Sequence, residues 1–242
     1  MPDSVPDAAD ARYDTVVLDV DGTLVDSNYQ HAVAWAIAFR SVGVAVPTWR
    51  LHRAIGMGAD RLVAHVAGQQ VEEGVGDEIR RIHEQEYHAL HHLVTGLPGA
   101  ESVIGELHQR GFKVALATSS SAEDFERETE LFEDAHAVEA AITLPDVDHT
   151  KPAPDLLEVA LREAGGSAGV TVGDSVWDME SAGRAGQYAI GVLSGGFGEH
   201  ELRAAGADEV FAGVAELLEH LDETVLRGAA RPEPQSGGTC RP

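Results

Sequence analysis

Basic residues are scarce in this sequence: 17 Lys and Arg stand against 41 Asp and Glu, a formal charge of −24 at pH 7. A field of that sign repels nucleic acid and anionic membrane surfaces, so neither is an expected partner. An anionic small substrate fits only where a metal ion or a few basic groups reverse the field locally. Cysteine is almost absent. Cys240 is the only one, in a Pro/Gly-rich tail, which excludes an internal disulfide and a Cys-based zinc site. No apolar run approaches membrane-spanning length, and the stretch from Met1 to Asp14 is acidic without an apolar segment, unlike an ordinary secretory signal. The expected compartment is reducing and cytoplasmic.

What remains is an ordinary globular composition, 43% hydrophobic and 24% charged, long enough at 242 residues for a core domain carrying a smaller inserted one. Thr15, Val16, Val17 and Leu18 read as a short apolar strand running into Asp19-Val20-Asp21-Gly22-Thr23. The same grammar recurs where 114–117 meets Thr118-Ser119-Ser120 and where 169–172 meets Gly173-Asp174-Ser175. Further strands are expected at 137–142, 188–192 and 209–211, with helices at 100–110, 122–132, 154–164 and 176–185 between them. That alternation predicts an α/β fold with a Rossmann-like parallel sheet, whose ligands bind beyond the carboxyl ends of the strands. Residues 27–95 break the rhythm with helical patterns at 31–42, 60–67 and 77–93, and read as a helical insertion, or cap. The expected division is a core of 13–26 and 96–222, a cap of 27–95, and disordered tails at 1–12 and 227–242.

Carboxylates two residues apart in an extended segment share a side, so Asp19 and Asp21 converge. A hard divalent cation such as Mg²⁺ accounts for like charges held that close, whereas Asp-Gly alone is common in solvated turns. Thr118 and Ser119, at a strand end before a helix, suit phosphate oxygens or serve as helix caps. Lys151 is one of two lysines, the other being Lys113, and stands in His149-Thr150-Lys151-Pro152 as a compact charge suited to a phosphoryl group. Asp174 and Asp178, four apart where a strand turns into a helix, reach a metal from a second strand or complement the helix dipole.

The ordered set Asp19/Asp21, Thr118, Lys151, Asp174/Asp178 resembles the four motifs of the haloacid dehalogenase superfamily over about 13–221, and the insertion resembles its C1-type helical cap. The resemblance implies a magnesium-dependent phosphatase acting on a small phosphorylated metabolite. Asp19 would be the nucleophile and Asp21 the general acid/base. Thr118, Ser119 and Lys151 would bind the phosphoryl group, and Asp19, the Asp21 backbone carbonyl and Asp174 would hold Mg²⁺ with support from Asp178.

Two relatives within the superfamily are disfavoured, since dehalogenases and phosphonatases lack a residue equivalent to Asp21, and the cap has no lysine for a Schiff base. Mutases of the β-phosphoglucomutase type are the closer rival, because His31 stands at their histidine spacing. Against them, the loop Gly56-Met57-Gly58-Ala59-Asp60 has no arginine, and Gly173 stands where they usually carry glutamate. A non-catalytic binding protein on the same fold is the third reading, though no motif carboxylate is missing. On the cap, His31, Arg50, Arg53 and Arg61 are candidate substrate contacts, whereas His83, His88, His91 and His92 are expected on a solvated helix face.

Overall fold

The computed structural model describes residues 13–132 and 135–229. Its strands are β1 (Thr15–Leu18), β2 (Lys113–Ala117), β3 (Val138–Ile142), β4 (Gly169–Gly173), β5 (Tyr188–Val192) and β6 (Glu209–Phe211). They form one parallel sheet in the order β3-β2-β1-β4-β5-β6. All four residues of β1 are buried, as a strand covered on both faces requires. Its side chains alternate, so Val16 and Leu18 enter one apolar cluster while Val17 enters the other. Both neighbours of β1 pair with it over its full length, which fixes Asp19 immediately beyond a rigid frame. Strand order also reverses at β1, making this the switch point where an open parallel sheet leaves a crevice.

Between β1 and β2 lie helices α1 (Asn28–Ser41), α2 (Thr48–His52), α3 (Ala59–Ala67) and α4 (Gln69–Leu90). They bury a cluster of their own, including Trp35, Phe39, Leu51, Leu62, Val63 and Ile79. The remaining helices are α5 (Ala100–Gln109), α6 (Ala122–Glu128), α7 (Asp155–Glu163), α8 (Val176–Ala185), α9 (Glu199–Ala205) and α10 (Val214–Glu219). No helix among the described residues is long and apolar enough to cross a membrane.

The expected strands all form, with β3 starting at Val138. Helix α4 is longer than its pattern because it begins at Gln69, after Gly68 at φ 91°, and runs through Gly74 and Gly76, which weaken the helical signal. The short α2 left no signal at all. Of the expected tails, 1–12 and 230–242, including Cys240, lie outside the described residues. Residues 227–229 are not tail-like: the Ala229 N–H donates to Arg110 O at 3.2 Å, and Leu226 just before them is fully buried.

Candidate active site

Asp19 extends the β1 ladder by one bond, its N–H donating to Val172 O at 2.9 Å, and its side chain is 5% exposed. Gly22 then turns the chain at φ 75°, a left-handed conformation natural to glycine, and any Cβ there would lie 2.5 Å from Asp174 Oδ2. Asp174 follows β4. Helix α8 starts next, capped by Ser175, whose hydroxyl accepts from Asp178 N while Asp178 Oδ2 accepts from Ser175 N. The cap therefore holds Asp178 beside the strand ends.

Lys151 comes from the loop before α7 and is 1% exposed. Its Nζ donates to Asp19 Oδ1 and to Ala117 O at 3.0 Å, and stands 2.8 Å from Asp178 Oδ1. One ammonium thus faces Asp19 and Asp178, and carboxylate oxygens of Asp19, Asp174 and Asp178 all lie within 4.8 Å of one another. Burial pushes Asp19 up to about 7, with Lys151 pulling down and Asp178 and Asp21 pushing further up. Asp174 is likewise raised by burial and then by Asp178 and Asp19. Lys151 is held above the usual lysine range, because the two carboxylates outweigh its desolvation.

Asp174 Oδ2 accepts from Asn28 Nδ2 at 2.8 Å, but its buried Oδ1 has no hydrogen-bond partner among the described residues. An unpaired buried carboxylate oxygen in an all-oxygen donor set with one cation for three acids fits a divalent metal ion.

The carboxylate of Asp21 does not converge with that of Asp19 as their spacing suggested, and turns instead toward His31 and Glu128. Its carboxylate accepts from Ser27 Oγ and Ser120 Oγ, both at 2.6 Å, and from Thr118 Oγ1 at 3.2 Å, and meets His31 Nε2 at 3.2 Å. Burial alone would raise it, but the His31 charge and these hydrogen bonds hold it below the usual carboxylate range. Thr118 therefore spends its hydroxyl on Asp21, and Ser119, whose hydroxyl donates to Gly56 O at 3.5 Å, lines the cavity beside it.

That cavity, about 410 Å³, lies between the strand ends and the insertion. Arg50, Arg53 and Arg61 do not line it. Arg50 is exposed, and Arg53 pairs with Glu201 at 2.5 Å and stacks over Phe197, tying the insertion to the sheet domain. Arg80 and Arg81 of α4 line it instead, bound to Glu72 and Asp77 and to Glu78 and Gln85. The sequence did not single out either arginine, because acidic or amide neighbours three or four residues away, such as Asp77, Glu78 and Gln85, are common on exposed helix faces.

The α4 histidines require a correction. His83 and Tyr87 face inward against α1, and His88 turns toward α6. The His83 ring stacks on Trp35 at 3.9 Å and its Nε2 meets His31 Nδ1 at 3.1 Å. Burial, then the neighbouring His31, depresses its basicity well below the usual histidine range. His88 Nε2 meets Asp124 Oδ1 at 2.9 Å. His92 is exposed as expected.

A family model described as haloacid dehalogenase-like hydrolase matches residues 16–192. A phosphoglycolate phosphatase of Vibrio cholerae is 32% identical over 217 residues, 84% of this chain and 95% of the relative. A pyrophosphatase, PpaX, of Halalkalibacterium halodurans is 27% identical over 85% of this chain and 95% of its own. A crystal structure of a hydrolase from Pseudomonas syringae superposes with a TM-score of 0.83 at 32% identity, covering 89% of this chain and 99% of that one. With the match spanning the strand-end carboxylates and Lys151, the chain belongs to the haloacid dehalogenase-like hydrolase family and is an enzyme.

Proposed function

We propose that this protein is a magnesium-dependent phosphatase that transfers the phosphoryl group of a small phosphomonoester to Asp19 and then to water. The observation that carries the reading is Lys151 Nζ, buried between Asp19 and Asp178 at the strand ends beside the unpaired Asp174 Oδ1. Asp19, the Asp21 carbonyl and Asp174 would hold Mg²⁺, which when bound supplies charge to the phosphoryl oxygens and offsets the carboxylates.

The chain's own groups divide the work. Asp19 attacks phosphorus, and the alkoxide leaves. Lys151 fixes the attacking carboxylate and offers positive charge at the transferring oxygens. Asp21, on the opposite side of the turn and held by Ser27, Ser120 and His31, gives its proton to the departing oxygen and then takes one from the water that cleaves the aspartyl phosphate. Without metal the two environments run against these roles, with Asp19 raised by burial and Asp21 lowered by His31 and its hydroxyl donors. Bound metal is therefore needed to favour the ionised Asp19, and Asp21 must take up a proton before it can give one to the leaving oxygen. Helices α1 to α4 serve as the cap that encloses the leaving group. With no arginine at 56–60, a second phosphate site of the mutase kind is not expected.

The test is ³¹P NMR with 2-phosphoglycolate, β-glucose 1-phosphate and a nucleoside monophosphate, each with and without Mg²⁺. Release of inorganic phosphate that needs the metal is the expected result. Isomerised sugar phosphate appearing faster than phosphate would overturn it in favour of a mutase, and no turnover of any ester would favour a binding protein.

A further inference from the structure

Glu128, the last residue of α6, is fully buried, with a carboxylate oxygen within 4.8 Å of ligand atoms of Asp21 and His31, yet among the described residues its only hydrogen-bond partner is Tyr87. A buried acid that does no chemistry is costly, so its surroundings matter. Its Oε1 accepts from Tyr87 Oη at 2.7 Å, across the boundary between the insertion and the sheet domain, while its Oε2 has no hydrogen-bond partner among the described residues. Tyr87 is itself fully buried and lies flat on the His31 ring, centroids 3.7 Å apart and planes 10° apart. His31 in turn meets Asp21 through Nε2 and His83 through Nδ1. The imidazole is therefore fixed on both edges and one face, and the face is fixed only as firmly as Tyr87, whose ring Glu128 stops from sliding.

We propose that Tyr87 and Glu128 are positioning residues for proton transfer to the leaving group: they hold His31, and His31 holds Asp21 aimed into the cavity. This rests on the assignment of Asp21 as general acid. The arrangement also joins α1 and α4 to α6, so the acid is in register only while the insertion is seated on the sheet domain. Burial, then the Asp21 charge, raises Glu128 to about 10, so it is neutral near pH 7 and glutamine is its close mimic.

Leaving-group chemistry separates positioning from packing. An alkyl alkoxide needs a proton as it departs, whereas p-nitrophenolate does not, and kcat/KM reports this first transfer. Tyr87→Phe keeps the ring on His31 and deletes only the bond to Glu128; Glu128→Leu deletes the acceptor; Glu128→Gln keeps it. We expect Tyr87→Phe and Glu128→Leu to lose about tenfold in kcat/KM on the preferred alkyl phosphomonoester but less than about twofold on p-nitrophenyl phosphate, with Glu128→Gln near wild type on both. Equal losses on both substrates, or none, would overturn the assignment. If Glu128→Leu does not fold, Tyr87→Phe and Glu128→Gln decide alone. Should the wild type turn over neither ester, the phosphatase reading fails, and ¹⁵N NMR of the His31 imidazole still decides the positioning. Its resonances move in Tyr87→Phe and hold in Glu128→Gln if the contact orients the ring, and stay put in both if it does not.

Discussion

Replacing Lys151 by methionine removes the one ammonium facing Asp19 and Asp178 while nearly preserving volume. The Asp178 contact alone, at 2.8 Å, amounts to about 6 kcal/mol of attraction at an effective dielectric of about 20, before the cost of dehydrating both partners. The net value of the intact pair is far smaller. Removing one partner is different, because it strands buried carboxylates, and such losses run to about 3–5 kcal/mol. For a chain of this size that corresponds to a fall in Tm of roughly 6–20 °C. The loss depends on pH with a definite sign. Without the cation, the carboxylates of the folded variant have pKa values raised above those of the unfolded chain, so the folded form holds more protons and stability falls as pH rises. The penalty is therefore largest at neutral and alkaline pH and shrinks in acid. The assay is urea unfolding of the metal-free protein at pH 5 and pH 8, followed by titration with Mg²⁺, which should recover part of the loss. A variant within about 1 kcal/mol of wild type at pH 8 would refute the reasoning, since it would mean that the carboxylates were never dependent on Lys151.

Asp19→Asn should lose nearly all turnover while keeping or raising Tm, because it deletes a like charge beside Asp178 and Asp21 without changing packing; turnover near wild type would remove Asp19 from the chemistry. Chelation by EDTA should abolish turnover, and Ca²⁺ should inhibit in competition with Mg²⁺, since its larger and looser shell can engage both nucleophile oxygens; full activity in metal-free protein would contradict the donor set. Glu128 offers a second test of linkage. Its raised folded pKa, about 10, means that wild type loses stability relative to Glu128→Gln as pH rises from about 5 to 8, by up to about 1.4 kcal/mol per unit. Parallel stability profiles for the two proteins would show that Glu128 ionises normally.

The sheet and its strand-end residues were legible because local pattern and chemistry coincide there: an apolar run such as 15–18 must be buried on both faces, and polar residues directly after it must lie at the crevice. Asp19, Asp174 and Asp178 lie together at the strand ends, with Lys151 against Asp19 and Asp178. What sequence concealed depends on how helices face one another. His83 and Tyr87 share a polar-looking stretch with Glu84, Gln85 and Glu86, and only the packing of α4 along α1 shows which side is inward. Glu128 carries no signal, since a glutamate ending an amphipathic helix is usually solvated. Arg53 was visible as a cation but not as a clamp, because its partners, Glu201 and Phe197, are about 150 residues away in sequence.

Borohydride trapping shows whether phosphate passes through Asp19. The enzyme is mixed with substrate and Mg²⁺, quenched in the steady state, reduced, digested and read by mass spectrometry. An acyl phosphate at Asp19 is reduced to homoserine, so homoserine is expected at position 19 only when substrate and metal are both present. Rapid turnover with homoserine at another aspartate would contradict it.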